Sequence, residues 1–173
     1  MPRPEPLKLG APAPDFALRD ATSGASIRLS DLRGSIVVLN FDRGTYCGTC
    51  RPFQRSLRDA NPQFEATGAR LFSIFGESKA LGILHLNAPE AVRKFAAREH
   101  LPFPVLVDPD CAIGKQYGVY VALNYETISN ARPATFIIDD AGILRFIHIS
   151  KRQSNRLKPA QILAELEKLQ TAK

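Results

Sequence analysis

Two cysteines separated by two residues, Cys47 and Cys50, have the clearest capacity for chemistry in this sequence. They follow residues 36–41, an apolar run that predicts a buried strand, at the point where the chain turns into a helix. There, free N–H groups and the helix dipole favour a thiolate, as do nearby Arg43 and Arg51, and can lower a thiol pKa to roughly 3.5–7.5. Three residues apart at a helix start, the two thiols share one side and can close into a disulfide, one attacking a substrate and the other resolving it.

Two other interpretations of the pair stay open. A half zinc site needs two further ligands, for which the chain offers Cys111 and three histidines, His85, His100 and His148, none at ligand spacing. Two inert core cysteines would need no partner. A redox pair is favoured because a C-x-x-C beside a β-α-β pattern is the usual context of that motif. We therefore predict no metal and no cofactor. For Cys111, structural burial and a resolving thiol are both open.

A second segment, residues 131–139, opens another apolar strand. Pro133 stands at its start, where proline cannot donate to a sheet ladder, and a cis bond before it would make the backbone bulge toward whatever it faces. Arg132 would supply a further cation near the thiolates, although a solvated arginine at a strand start is the alternative. We predict a site role for both residues. The predicted substrate contacts flank the cysteines: Arg43, Thr45, Tyr46, Thr49 and Arg51.

The elements that must position these residues follow from hydrophobic spacing. Residues 1–14 hold five prolines and predict an extended arm, leaving residues 15–173 as a single domain. A first hairpin precedes a β-α-β-α-β-α alternation, and a second hairpin and a last helix from 158 close the chain. This order predicts an α/β protein with helices on both faces of a mixed sheet.

Two segments near the predicted site carry more specific expectations. The helix that follows the cysteines is predicted from about Thr45 toward Ala60, kinked near Pro52 and broken at 61–62. Residues 120–131 lack a clear period and are predicted to form an irregular loop.

Composition excludes several classes of protein. With 173 residues, 45% of them hydrophobic, the chain can bury a full core, and its three cysteines exclude a fully paired disulfide framework. No apolar run approaches the ~20 residues of a membrane span, and the N-terminus lacks the apolar segment of a signal peptide, so a cytoplasmic protein is expected. The net charge of +6 is spread along the chain, densest at 151–158, and lacks aromatic interleaving. It therefore predicts a solvated surface, with neither nucleic acid nor membrane as partner.

Segments along nearly the whole chain resemble, in order, those of the peroxiredoxin-like (alkyl hydroperoxide reductase / thiol-specific antioxidant) branch of the thioredoxin-fold superfamily. They are residues 10–18, 29–34, 37–41, 103–110, 117–119 and 132–142. The resemblance implies a thioredoxin-like fold with a mixed central sheet flanked by helices and an N-terminal hairpin extension. It also implies a hydroperoxide substrate, a thioredoxin- or glutathione-type reductant, and a homodimer in which the arm and residues 120–131 take part.

The active-site segments depart from that family. Against its P-x-x-x-T-x-x-C motif, Arg43 replaces the proline, Cys47 replaces the threonine and Cys50 holds the attacking position. The resemblance thus implies attack by Cys50, whereas thioredoxins attack with the first cysteine of C-x-x-C, here Cys47. Pro133 falls where the family has its arginine, with Arg132 one residue earlier. Proline there resembles the cis-proline of thioredoxin-type reductases.

Three functional hypotheses follow. The first is a thiol peroxidase that reduces hydroperoxides through a Cys47/Cys50 dithiol–disulfide cycle. The second is a thiol–disulfide oxidoreductase that acts on protein or small-molecule disulfides. The third is a redox sensor without enzymatic activity, which binds a partner in one redox state only. A fold alone does not choose among them, because function depends on the site.

Overall fold

A computed structural model describes residues 6–76, 88–123, 128–152 and 155–171. Its strands are β1 (Ala17–Asp20), β2 (Ser26–Arg28), β3 (Val37–Asp42), β4 (Arg70–Phe75), β5 (Val105–Val107), β6 (Tyr120–Leu123), β7 (Ile128–Ala131), β8 (Ala134–Ile138) and β9 (Leu144–Ile149). Its helices are α1 (Cys50–Ala66), α2 (Ala88–Glu99), α3 (Ala112–Gln116) and α4 (Pro159–Thr171). Among these residues no helix is both long and apolar enough to cross a membrane.

The main sheet has seven strands in the order β2-β1-β5-β4-β3-β8-β9. The three central strands β5, β4 and β3 are parallel, whereas β8 and β9 on one side and β1 and β2 on the other pair antiparallel. This arrangement confirms the predicted mixed sheet. The β1–β2 hairpin joins the sheet beside β5, where the Asp20 carboxylate accepts the N–H of Val105 at 3.1 Å. The hairpin is therefore part of the sheet rather than a separate appendage.

Strand β3 is buried on both faces, which explains its continuous apolar sequence. Leu39 and Phe41 belong to the core cluster that also holds Tyr117 and Phe136. Val38 belongs to a second cluster, together with residues of α1 and α4. Since side chains alternate along a strand, Asn40 and Asp42 face the same side as Val38, toward α1. A polar pair is thus placed beneath the helix that follows the cysteines.

The prediction for α1 was wrong at both ends. The helix begins at Cys50, because residues 44–49 form turns instead, and it continues through Pro62 to Ala66. Pro52 lies in the first helical turn, where its missing N–H would have no intrahelical acceptor, so the helix accommodates it without loss of a backbone hydrogen bond. Pro62 is tolerated because Leu57 and Phe64, fully buried on either side of it, hold both halves of the helix against the sheet.

Residues 120–131 are also more regular than predicted. Strands β6 and β7 pair antiparallel, with Tyr120 opposite Ala131, and residues 124–127 between them lie outside the described part of the chain. The backbone N–H of Arg132 donates to the Val119 carbonyl at 2.7 Å, which continues the pairing beyond the strand ends. Long-range backbone pairing supplies the order that the local sequence did not show.

The proline-rich arm contacts the second hairpin. The N–H of Gly10 donates to Leu144 and the N–H of Ala13 donates to Gly142, at 2.8 and 3.0 Å. In return, the N–H of Leu144 donates to Ala11 at 2.9 Å, and Ala13 is buried in the core. The domain boundary between residues 14 and 15 stays a prediction.

We expect Gly76→Ala to lower the free energy of unfolding by about 1–3 kcal/mol, because the position has no room for a methyl group. A Cβ on Gly76 would lie 2.7 Å from Cys111 Sγ and 3.3 Å from the Ala131 Cβ. Urea unfolding would measure the loss, which should shrink in a Cys111→Ala background that lacks the clashing sulfur. Gly48→Ala is the matched control, with no atom within 4 Å of its Cβ. An equal loss in both backgrounds would contradict the explanation.

Candidate active site

Cys47 and Cys50 form a disulfide with their Cα atoms 5.2 Å apart, at the carboxyl end of β3. The strand ends at Asp42, a turn follows in which the N–H of Cys47 donates to Gly44, and the N–H of Cys50 donates to Cys47. Gly44 adopts φ +144°, which side-chain-bearing residues rarely reach. Cys50 is then the first residue of α1, whereas Cys47 lies in the turn. The two cysteines are therefore joined as a disulfide at the predicted junction of strand and helix.

The two sulfurs have different surroundings. Cys47 keeps 7% of its surface exposed, and its Sγ lies 3.4 Å from the Thr49 hydroxyl. Tyr46, beside it, is 48% exposed. Cys50, in contrast, has no exposed surface. A thiol that approaches from solvent therefore meets Cys47 first.

Cys50 contacts a guanidinium that sequence analysis missed. Arg156, in the segment before α4, donates from Nη2 to Cys50 Sγ at 2.9 Å, and from Nη1 to Asp42 Oδ1 in a short ion pair. Its side chain is 9% exposed and lies over the Phe53 ring, with Cζ 5.0 Å from the centroid. Arg156 belongs to the basic run 151–158, for which the sequence predicts a solvated surface. For Arg156 that prediction is wrong, because its guanidinium is held by Asp42, Cys50 and Phe53.

A buried polar chain extends inward from this arginine. Asp42 Oδ2 accepts from Gln54 Nε2 at 2.5 Å, and Gln54 Oε1 accepts from Ser73 Oγ at 2.9 Å. Asp42, Gln54 and Ser73 are all fully buried. Burial raises the pKa of Asp42 above its usual value, against the opposing effects of Arg156 and Gln54. The carboxylate is therefore costly to keep charged, and its orientation is fixed from both sides.

The other residues predicted to contact substrate beside the cysteines differ in burial and in their partners. Arg43 is 3% exposed, and its carbonyl accepts from the Tyr46 hydroxyl at 3.2 Å, while Thr45 is half-buried. Arg51 points to Glu99, 3.3 Å from its carboxylate. Burial alone would raise the pKa of Glu99, but the hydrogen bonds and charges of its arginine partners, Arg55, Arg98 and Arg51, hold it below the usual value.

The second predicted segment is split by the fold. Pro133 is buried and lines the same small gap as Phe53 and Arg156, while Arg132 next to it is exposed. No peptide bond among the described residues is cis, so the bond before Pro133 is trans, and the cis form considered from the sequence is wrong. The carbonyl of Pro133 accepts from the Ser150 N–H at 2.9 Å. Pro133 therefore reaches the site neighbourhood in an ordinary backbone conformation.

Cys111 is fully buried, against Gly76 and just before α3. It adopts φ +51°, an uncommon conformation for a residue other than glycine. In the part of the chain that the structure describes, no group of three or more His, Cys, Asp or Glu side chains could hold a metal ion. His85, considered as a zinc ligand, lies outside the described residues.

A mixed sheet with a C-x-x-C disulfide where its central strand meets a helix is the setting typical of thiol redox sites in proteins of thioredoxin-like fold. Comparison with known proteins identifies the group more closely: the AhpC/TSA family model matches residues 9–147, and the chain belongs to that family. The family prediction made from the sequence is thereby confirmed, as is the fold class.

Relatives of both enzymatic kinds are found. The chain is 36% identical to Peroxiredoxin 2 of Caldanaerobacter subterraneus subsp. tengcongensis over 81% of its own length, and spans 60% of that relative. It is 34% identical to the thiol-disulfide oxidoreductase ResA of Geobacillus thermodenitrificans over 82% of its length, and spans 69% of that protein. The crystal structure of Peroxidoxin BcpB from Mycobacterium tuberculosis matches with a TM-score of 0.77 at 23% identity, over 94% of this chain and 98% of that one, which supports the fold.

Proposed function

We propose that this protein is a thiol peroxidase that reduces hydroperoxides through a Cys47/Cys50 dithiol–disulfide cycle. The observation that carries the proposal is the Cys47–Cys50 disulfide itself, closed at the junction of β3 and α1. Membership of the AhpC/TSA family and the peroxiredoxin relative support it. The cycle needs no metal or cofactor, since the sulfurs carry both electrons.

The cycle runs in two halves. A thiolate attacks one peroxide oxygen, the O–O bond breaks, and the alkoxide takes a proton to leave as the alcohol, which gives a sulfenic acid. The other cysteine displaces hydroxide from that sulfur, which leaves as water with the thiol proton, and the disulfide forms. A thioredoxin- or glutathione-type thiol then attacks one sulfur, and a second donor thiol completes the reduction. Thr49, whose hydroxyl can hydrogen-bond Cys47, and the exposed Tyr46 are proposed to meet the substrates.

A second candidate is a thiol–disulfide oxidoreductase that acts on protein or small-molecule disulfides. It is favoured by Cys47, which occupies the place of the family threonine, and by the relative of that activity. The buried Pro133 beside the site also fits this candidate. Both candidates use the same disulfide, so the substrate distinguishes them. The cytoplasmic location and the homodimer are predictions of the same proposal, to be tested by fractionation and by light scattering.

We expect the reduced protein to consume hydrogen peroxide and cumene hydroperoxide with a second-order rate constant well above that of free cysteine. The measurement couples turnover to NADPH through thioredoxin and its reductase, or through glutathione and its reductase. The Cys47→Ser/Cys50→Ser double variant, which retains Cys111, is the blank. A rate no better than free cysteine would refute the peroxidase. Rapid reduction of insulin disulfides by the same preparation would then favour the second candidate.

A further inference from the structure

The guanidinium of Arg156 singles out one of the two sulfurs. Its Nη2 lies 2.9 Å from Cys50 Sγ, within a site where Cys50 has no exposed surface and the arginine side chain is 9% exposed. Phe53 covers the guanidinium and Asp42 takes its other terminal nitrogen. Arg156 is therefore held against Cys50 from several directions rather than resting there as a free surface side chain.

The positive charge of Arg156 affects the ionisation of Cys50 once the disulfide is reduced. Arginine stays protonated at any pH the protein meets, so reduction leaves a permanent cation beside the Cys50 sulfur. An opposite charge within about 4–6 Å shifts a pKa by roughly 1–3 units toward the charged form. A buried thiolate is tolerated only when it is paired and hydrogen-bonded, and Arg156 supplies both.

The other charged groups around Cys50 are accounted for. Asp42, on β3, is an anion that opposes the thiolate, but it is bonded to Arg156 and Gln54. Arg51, next in sequence, pairs with Glu99. Arg43 is buried in the preceding turn and has the same sign as Arg156. Among the described residues, the direct hydrogen bond to the Cys50 sulfur comes from Arg156.

We propose that Arg156 pairs with the Cys50 thiolate of the reduced protein, which makes Cys50 the sulfur that attacks the substrate and Cys47 the one that resolves. The identity of that substrate as a hydroperoxide rests on the proposed function; the assignment of the thiolate does not. Asp42 accepts from the other terminal nitrogen of the guanidinium, and as an anion it opposes rather than favours the Cys50 thiolate.

One assignment then serves both half-reactions. The Cys50 thiolate breaks the O–O bond and becomes the sulfenic acid, and the Cys47 thiol closes the disulfide with release of water. On reduction, a donor thiolate attacks the sulfur of Cys47, the residue of the pair that keeps some exposed surface, and Cys50 leaves as the thiolate that faces Arg156. The second thiol of the donor then attacks the first donor sulfur, the bond between that sulfur and Cys47 breaks, and Cys47 leaves as a thiolate that takes up the proton released by the donor. The contact between Arg156 and Cys50 therefore stabilises Cys50 both as the attacking thiolate and as the leaving thiolate.

The test is a pH titration of the Cys50 thiolate by its ultraviolet absorbance in a Cys47→Ser background, with the Cys47→Ser/Cys50→Ser protein subtracted. Arg156→Gln is expected to raise the pKa of Cys50 by about 1–3 units, and Arg156→Lys to give an intermediate value. Asp42→Asn, which removes an anion, is expected to lower it or leave it unchanged. Arg152→Gln, which removes an exposed arginine four residues away, is the matched control and should not move it.

The outcomes separate an electrostatic role from a structural one. Equal pKa values in Arg156→Gln and Arg152→Gln would overturn the proposal. A rise in both Arg156→Gln and Asp42→Asn would overturn it as well, since loosened packing moves both in one direction. Should Arg156→Gln fail to fold, two other variants test the proposal. Arg156→Lys is expected to raise the pKa of Cys50, and Asp42→Asn to lower it or leave it unchanged. No peroxide enters the titration, so failure of the peroxidase assay leaves this result readable.

Discussion

Peroxide turnover is expected to fall by roughly three orders of magnitude or more in Cys50→Ser, because serine offers no comparable nucleophile at that place. Cys47→Ser is expected to lose turnover for a different reason. It keeps the Cys50 thiolate and Arg156, so it should react once with peroxide and then stop, for want of a resolving thiol in the turn. The two variants thus lose steady-state activity together but differ in the first turnover.

Intact-mass spectrometry after one equivalent of hydrogen peroxide measures that difference. Cys47→Ser should gain one oxygen on Cys50, and wild-type protein should lose two hydrogens as the disulfide closes. Cys50→Ser should stay essentially unreacted on the same timescale. The reverse pattern, with oxygen on Cys47, would show that the first cysteine attacks, as in thioredoxins. Cys111→Ala is the control for the buried third cysteine and should retain full turnover.

The largest loss of stability is expected from Arg156→Met, at about 3–5 kcal/mol near neutral pH. The substitution leaves Asp42, which is fully buried, without its cation. Replacing both partners in Asp42→Leu/Arg156→Met should recover most of the loss, because no buried charge remains. Urea unfolding of the wild type, Arg156→Met, Asp42→Leu and the double variant gives the coupling energy directly. Arg28→Met, which breaks an exposed pair with Asp15, is the control and should cost about 1 kcal/mol or less.

The pH dependence of this loss has a definite sign. Burial raises the pKa of Asp42 above its usual 3.8, so the folded protein holds that proton more tightly than the unfolded chain. The stability contributed by Asp42 is therefore greatest at acid pH and is lost as pH rises from 3.8 through the folded-state pKa. Without Arg156 the pKa rises further and the decline becomes larger. A loss in Arg156→Met that is the same at acid and neutral pH would contradict this account.

The sequence was sufficient where local pattern and chemistry coincide. Strand β3, the C-x-x-C and the mixed sheet follow from a buried apolar run beside a helix start and from the order of elements. It was misleading at Pro62, since a proline signals a helix end locally, while the burial of Leu57 and Phe64 that outweighs it depends on the sheet. The irregular loop predicted for residues 120–131 was wrong for the same reason, because backbone pairing across a hairpin does not show in the local hydrophobic period.

Arg156 could not have been found from spacing. It is 106 residues from Cys50 in the sequence and reaches it only because the segment between β9 and α4 brings Arg156 over Phe53 of α1. In the sequence it is one of several cations in residues 151–158, and nothing local distinguishes the buried one from its exposed neighbours. The sequence did not indicate a role for Asp42 either, since an acidic residue at a strand end is ordinarily assigned to a turn. Arg156 and Asp42 gain a role only because the fold brings both of them close to Cys50.

The β1–β2 hairpin also determines how the sheet ends. Without it, β5 would present its unpaired N–H and C=O groups to other molecules, which is the usual template for edge-to-edge aggregation. With β1 paired to β5, the outermost strand becomes β2, which has three residues and exposes Ser26 and Arg28. A short, polar, charged edge is a poor template for a further strand. The extension that precedes the redox site therefore contributes to keeping the protein dispersed at high concentration.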